Sequence, residues 1–314
     1  PYTGASDAAA ESAAMSKPVV YIHTNEQQML GAIVSAHSFR RQSCQPERFE
    51  IRILALEKTP HLFRREGQPY LRMGKLATWH NDDLQSFSPL RRMVPQLMGY
   101  QGRALVTDPD VFSAGGDVLD LLESDMRGRC VICRNLPAEK GGGAGAWATS
   151  VMLLDCARLT HWRWDEQIDA MFAGTLDYKP WIQLADQDPQ TIGELPEVWN
   201  SFDKLEADTR LLHMTERLTQ PWKTGLPVDF NTNFQGPTGR VRRWLRERGL
   251  LGGGRRYLPH PDPRQEEFFF DLLKDCLDGG LVSADYVRQA VAKQDVRADA
   301  FELLARRGWH GAAA

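Results

Sequence analysis

Apolar and polar positions along the chain change period in a regular way. Val19, Val20, Tyr21 and Ile22 form a short β-branched and aromatic run within residues 18–24, which predicts a strand. Asn25 follows, three residues before Gln28, at the spacing of a helix N-cap with an amide that reaches back. Met29, Leu30, Ile33, Val34 and His37 then recur at helical spacing, and residues 49–56 return to strand-like alternation. The opening is therefore expected to be a strand–helix–strand unit.

Downstream, residues 88–97 predict a helix and 100–103 a turn, after which Ala104, Leu105, Val106 and Thr107 predict a strand ending at Asp108-Pro109-Asp110. A helix over 116–123, a strand over 129–133, a glycine-rich loop at 141–145 and a strand over 149–154 continue the alternation of an α/β protein whose sheet is covered on both faces. From residue 236 the character changes. Arg240, Arg242, Arg243, Arg246 and Arg248 crowd one helical segment around Val241, Trp244 and Leu245, and three glycines at 252–254 interrupt it. Patterns over 265–277, 283–293 and 297–307 then predict a small helical appendage. The expected organisation is a leader at 1–14, a main domain at 15–235, and a basic helix with helical appendage at 236–314.

The 314 residues are 42% hydrophobic and 25% charged, with 38 Lys and Arg against 41 Asp and Glu. That composition is globular, and the small net charge argues against wrapping duplex nucleic acid, which relies on clustered positive charge. No apolar run approaches the length needed to cross a bilayer. The first 14 residues lack Lys, Arg and an apolar stretch, so they do not read as a secretory signal. Five cysteines at 44, 130, 133, 156 and 276 lack the density of a disulfide scaffold and fit a reducing cytoplasm. Cys130 and Cys133 have redox or zinc spacing, but no second pair accompanies them and they read as core cysteines.

Asp108-Pro109-Asp110 is the sharpest local signal. Two carboxylates one residue apart after a strand suit a hard divalent cation, and the same tripeptide also suits a plain turn. The longer segment containing Arg91-Arg92-Met93-Val94-Pro95, then Gly99-Tyr100, then Asp108-Pro109-Asp110 resembles family 8 and related retaining glycosyltransferases. Further segments match in the same order: Thr24-Asn25-Glu26, the strand from Ser150 to Asp155, Asp186-Gln187-Asp188, His213-Met214-Thr215, and Gln220-Pro221-Trp222. The resemblance covers residues 18–225 and is silent on the tail.

It implies a glycosyltransferase A-type, Rossmann-like mixed sheet flanked by helices, binding a nucleotide-diphosphate sugar, a UDP-sugar, with Mn²⁺ or Mg²⁺. Asp108, Asp110 and His213 match its metal ligands, and a nitrogen donor favours Mn²⁺ over Ca²⁺. Arg91 matches an arginine near the donor sugar and diphosphate, and its planar fork suits phosphate. Lys223, beside Pro221 and Trp222, is a second candidate phosphate contact, whereas Arg92 looks structural. Asp186 and Gln187 match positions facing the sugar hydroxyls and the β face of the reacting carbon. Retention would then arise from front-face attack, with the leaving phosphate accepting the acceptor's proton. Thr24 and Asn25 match contacts to base and ribose, although Asn25 also suits a helix cap. Two departures stand out: Thr24 replaces an acidic residue, and Ala148 or Thr149 replaces an asparagine.

The leading expectation is a metal-dependent retaining glycosyltransferase of polysaccharide biosynthesis, of hexosyltransferase type, acting on a glycan or lipid-linked acceptor. It is placed in the cytoplasm, at the inner face of the membrane if the basic segment 239–248 makes a peripheral contact there. A solvated helix packed by Trp244 is the plainer account of that segment, and nucleic acid is not an expected partner. A catalytically silent nucleotide-sugar or glycan-binding assembly protein is the alternative. A sugar nucleotidyltransferase is disfavoured, since no glycine-rich N-terminal loop is present to hold a nucleoside triphosphate.

Overall fold

In a computed structural model, the structure describes residues 17–137, 146–229 and 255–311. The leader at 1–14, the glycine-rich loop at 141–145, the boundary at 236 and the basic segment 239–248 lie outside the described residues.

Eleven strands are present among them: β1 (Val19–Thr24), β2 (Glu50–Ala55), β3 (Pro69–Arg72), β4 (Lys75–Thr78), β5 (Arg103–Thr107), β6 (Val111–Ser113), β7 (Val131–Asn135), β8 (Trp147–Asp155), β9 (Ile192–Glu194), β10 (Ser201–Phe202) and β11 (Leu211–His213). The central sheet has the order β2-β1-β5-β8-β7-β9. β1 is parallel to β2 and β5, β8 is antiparallel to β5 and β7, and β9 is parallel to β7. The result is a mixed sheet flanked by helices, as the sequence leads one to expect.

The unbroken apolar runs follow from burial on both faces. Val20, Ile22, Leu105, Val151 and Leu153 pack into one layer of core, while their neighbours Val19, Tyr21, Ala104, Val106, Met152 and Leu154 pack into the other. Successive side chains alternate sides, so a strand covered twice must be apolar throughout. Cys130, Cys133 and Cys156 are buried and free in this core. Burial pushes the Cys156 thiol up to about 12, so it packs as an inert hydrophobe.

Helix α1 (Met29–Gln42) crosses the sheet directly behind the Asp108–Asp110 turn. A Cβ on Gly31 would lie 2.9 Å from the Pro109 carbonyl oxygen, so glycine permits the close approach. One and two turns further on, the Ser35 hydroxyl donates to Val111 O at 2.5 Å, and Ser38 Oγ accepts from Ser113 N at 2.8 Å. This stripe pins the turn and β6 to α1. Between 88 and 97 the expected single helix is a 3-10 segment, Ser88–Met93, followed by a short helix, Val94–Leu97. Pro89 and Pro95 each lack the N–H that a continuous helix would use.

The C-terminal patterns form helices Pro263–Asp278, Ala284–Ala292 and Ala300–Arg306. Phe269, Phe270, Leu272 and Leu273 share one apolar core with Leu30 and Val34 of α1, Phe112 of β6 and Trp222. The Trp222 and Phe269 rings are 4.7 Å apart. Arg297 donates to Pro221 O through its side chain at 3.2 Å and to Trp222 O through its backbone at 2.7 Å. The tail thus fastens the segment that carries Gln220. No helix of the described residues is long and apolar enough to cross a membrane.

Candidate active site

β1 and β5 run parallel, so Thr24 and Asp108 emerge at the same edge of the sheet. β8 runs the other way and brings Thr149 and Ser150 to that edge, where Asp108 N donates to Ser150 O at 2.9 Å. The carboxyl ends of parallel strands are where open α/β sheets bind ligands. A second sheet, β10-β11-β6, pairs His213 with Val111, which sets His213 beside Asp110. The edge opens into a cleft of about 270 Å³ lined by Arg91, Asp108, Asp110, Thr149, Ser150 and His213, among others.

Asp108 is held firmly. Arg91 Nη2 donates to both its oxygens, at 2.6 and 2.7 Å, and His23 Nε2 lies 2.6 Å from Oδ1. Arg91 also donates from Nη1 to Thr149 Oγ1 at 2.8 Å and from Nε to His23 Nε2 at 2.9 Å. Burial alone would raise the Asp108 carboxyl. The Arg91 charge and the His23 ring overcome that and hold it well below the usual carboxylate range. Burial also pushes the fully enclosed His23 imidazole down. A neutral ring either donates from Nε2 to Asp108 or accepts there from Arg91, but not both at once.

Asp110 is held loosely. Gln220 Nε2 donates to its Oδ2 at 3.2 Å, whereas its buried Oδ1 has no hydrogen-bond partner. Nε2 of His213 lies 3.4 Å from that oxygen. On the far side of the ring, Nδ1 lies 2.9 Å from Asn200 Oδ1. An amide oxygen only accepts, so Nδ1 carries a proton, and in the neutral ring Nε2 turns its lone pair toward Asp110. Two lone pairs facing each other in a buried site repel unless a cation lies between them. Asp108, Asp110 and His213 each offer one ligand atom, all within 4.8 Å of one another. This donor set fits a divalent metal, with Asn200 orienting the imidazole as a partner behind the ligand.

The remaining candidates lie off the cleft. Gln187 is buried on the rear of the sheet, where its Oε1 accepts from Trp162 Nε1 at 3.0 Å and His161 Nε2 at 2.8 Å, and its Nε2 donates to Thr191 Oγ1 at 2.7 Å. Its amide oxygen and nitrogen are both engaged in this frame, and Gln187 does not line the cleft. Asp186 makes a bidentate pair with Arg92 at 2.8 and 2.7 Å. Arg92 in turn lies over the Trp162 and Trp181 rings, at 4.2 and 5.1 Å, which bears out its structural reading. Lys223 is buried in an ion pair with Asp229 under the Tyr257 ring. Thr24 donates to Asn25 O at 3.1 Å. Asn25 makes no cap bond to the following turn. Its Nδ2 instead donates to Asp83 O at 3.1 Å and Ser86 Oγ at 3.2 Å, tying down the loop before Arg91.

Four residues of the site carried weak sequence signals or none. His23 is a polar residue near the end of a mainly apolar strand, and Gln220 lies in a motif noted for its neighbours. Gln183 lines the cleft four positions before Gln187. Asn200 had no signal, since its role exists only through the fold.

No family model and no curated protein matches the chain. Among solved structures it is similar to the WbbM bifunctional glycosyltransferase in its apo form, with 12% identity, covering 68% of this chain and 48% of that one at a TM-score of 0.48. It is also similar to the glycosyltransferase GlyE of Streptococcus pneumoniae TIGR4, with 14% identity, 85% and 64% coverage and a TM-score of 0.46. A third is the galactosyltransferase LgtC in complex with donor and acceptor sugar analogs, with 12% identity, 76% and 97% coverage and a TM-score of 0.42. The chain spans about half the length of the first and under two thirds of the second. All three are glycosyltransferases.

Proposed function

We propose that the protein transfers a sugar from a nucleoside diphosphate donor, a UDP-sugar, to a glycan or lipid-linked acceptor, with retention at the anomeric carbon and a divalent cation in the cleft. The observation that carries this reading is the buried, unpartnered Asp110 Oδ1 facing the His213 Nε2 lone pair at 3.4 Å beside Asp108. Asp108, Asp110 and His213 would hold the cation, Mn²⁺ in preference to Mg²⁺ because one donor is an imidazole nitrogen. When bound, it neutralises charge on the diphosphate as the anomeric C–O bond breaks.

The chain's own residues do the rest. Arg91 and His23 fix Asp108, so the ligand geometry is set before substrate arrives and costs no reorganisation. Gln220 steadies the free side of Asp110. Thr149 accepts from Arg91 and donates to Ile182 O at 2.9 Å, which joins the helix over the cleft to the charged centre. Of the two amides Gln183 is the one that lines the cleft, and we assign it the side facing a transferring sugar.

The test is thermal shift and calorimetry with a panel of nucleoside diphosphate sugars, with and without Mn²⁺, followed by turnover. A UDP-sugar should raise Tm only with metal, since a ligand that binds the native state stabilises it by mass action. Asp110→Asn should remain folded and lose roughly 100-fold in metal-dependent UDP affinity. Unchanged affinity and turnover in that variant would sink the metal assignment. Binding without any transfer or donor hydrolysis would point to the silent sugar-binding alternative, which the displacement of Gln187 favours.

A further inference from the structure

The charges lining the cleft are not all accounted for by the candidate metal centre. Its two carboxylates, Asp108 and Asp110, both belong to that centre, where Arg91, His23, Gln220 and His213 engage them. Three further cations line the same cleft: Arg72 at the end of β3, Lys179 in helix Tyr178–Ile182, and Arg217 in the turn Arg217–Thr219. They come from separate elements, and those of Arg72 and Lys179 are tied together. Asp177 caps Lys179 N at 3.0 Å and also accepts from Met73 N at 2.9 Å and Gly74 N at 2.6 Å, which fixes the β3–β4 turn to the helix. Arg72 donates to Tyr70 Oη at 3.1 Å and lies 5.2 Å from the centre of the Tyr178 ring.

Lys179 is the informative member. Its ammonium makes no hydrogen bond or ion pair with any described residue. Burial and the charges of Arg72, Arg91 and Arg217 hold it below the ordinary lysine range. Every side-chain charge acting strongly on it is therefore positive. Like charges drawn together in a partly buried cleft repel, and an anion placed among them relieves that cost. The donor diphosphate does not account for the whole cluster. A divalent cation with Arg91, Asp108 and Asp110 leaves a single positive charge, so a doubly charged diphosphate calls for one more, and the three cations offer more than that one.

We propose that Arg72, Lys179 and Arg217 form an anion subsite beside the candidate metal centre, which takes an oxyanion, phosphate or carboxylate, on a substrate sugar in addition to the donor diphosphate. The inference rests on the glycosyl-transfer reading of the cleft and deepens it: the substrates include an acidic or phosphorylated sugar.

The experiment titrates inorganic phosphate into the full chain saturated with UDP and Mg²⁺. Phosphate should bind this complex without displacing UDP, and a charge-assisted contact makes Lys179→Met and Arg217→Gln each weaken it by about 10-fold or more. Both variants should change the UDP–Mg²⁺ Kd by less than about 3-fold, and their Tm values identify any misfolded protein. A second arm compares UDP-glucuronate with UDP-glucose. A preference of about 10-fold that is lost in Lys179→Met places the acid on the donor, and equal affinities place it on the acceptor. Phosphate that competes with UDP, or binds wild type and both variants alike, would overturn the proposal by making the three cations part of the diphosphate site or mere surface. Should UDP fail to bind with either Mn²⁺ or Mg²⁺, the glycosyl-transfer reading falls, while phosphate titrated into the free protein still tests the subsite.

Discussion

Asp108 and Asp110 stand one residue apart in sequence and in opposite conditions in the fold. Asp108 is gripped by a guanidinium and an imidazole that leave it ionised and immobile. Asp110 keeps one buried oxygen without a hydrogen bond, faced by an imidazole lone pair. A buried polar atom left unpaired costs free energy, so the Asp110 side carries an unmet demand, which the proposed cation would satisfy. The Asp108 side spends the same kind of interactions on rigidity. Half of the centre is built to position, and the other half to bind.

The sharpest way to break this comparison is to neutralise the gripped carboxylate. Asp108→Asn leaves Arg91 buried without its counter-charge and should cost about 3–5 kcal/mol, read as a fall in the denaturation midpoint. The sign with pH follows from the depressed carboxyl: its stabilisation is complete above the unfolded value near 3.9 and is lost as pH falls through the lower folded value. The wild-type advantage over Asp108→Asn should therefore be full at pH 7 and shrink in strong acid. A difference that grows in acid would show that the Arg91 grip does not set the stability.

Next in size is the loose half. Asp110→Asn should be at least as stable as wild type, because an unpaired buried charge is removed, while metal binding falls as stated above. A large loss of stability would show that Asp110 is as structural as Asp108, and the contrast would fail. One step behind the ligands, Asn200→Leu removes the acceptor that sets the His213 tautomer and should weaken Mn²⁺ binding by roughly 10–100-fold. Asn200→Asp keeps an acceptor there and should restore much of it. Equal effects of the two replacements would reduce Asn200 to packing.

The smallest effect on chemistry should come from Gln187, which the family resemblance puts at the reacting carbon and the fold puts behind the sheet. Gln187→Leu strands the Trp162 donor and should cost about 1–3 kcal/mol of stability, with turnover per folded molecule held within about 3-fold. A drop of about 100-fold in kcat at unchanged stability would return Gln187 to the reaction and leave Gln183 aside.

How legible each part was in the sequence depends on how local its cause is. The central strands were readable because burial on both faces demands unbroken apolar runs, and the C-terminal helices because each keeps one apolar stripe. The β3–β4 hairpin escaped notice. Its turn places Met73 and Gly74 at positive φ, 54° and 71°, where asparagine or aspartate would have signalled it. Residues 88–97 keep helical spacing, but two prolines split the run into a 3-10 segment and a short helix. For the tail, sequence period shows that each helix has an apolar face without showing what covers it. The covering surface is α1, Phe112 and Trp222.

By itself the sequence determined which segments fold into strands and helices, that Asp108 and Asp110 close a buried strand, and which residue types were available for chemistry. Those are consequences of side-chain period and backbone geometry, which act over a few residues. Only the tertiary structure decided that His213 faces Asp110 while Gln187, Asp186 and Lys223 turn to partners elsewhere. A motif supplies an amide, a carboxylate or an ammonium, but buried polar groups must pair with whatever the packed elements bring within 3 Å or so. For those three residues, Trp162, Arg92 and Asp229 were nearer than the cleft.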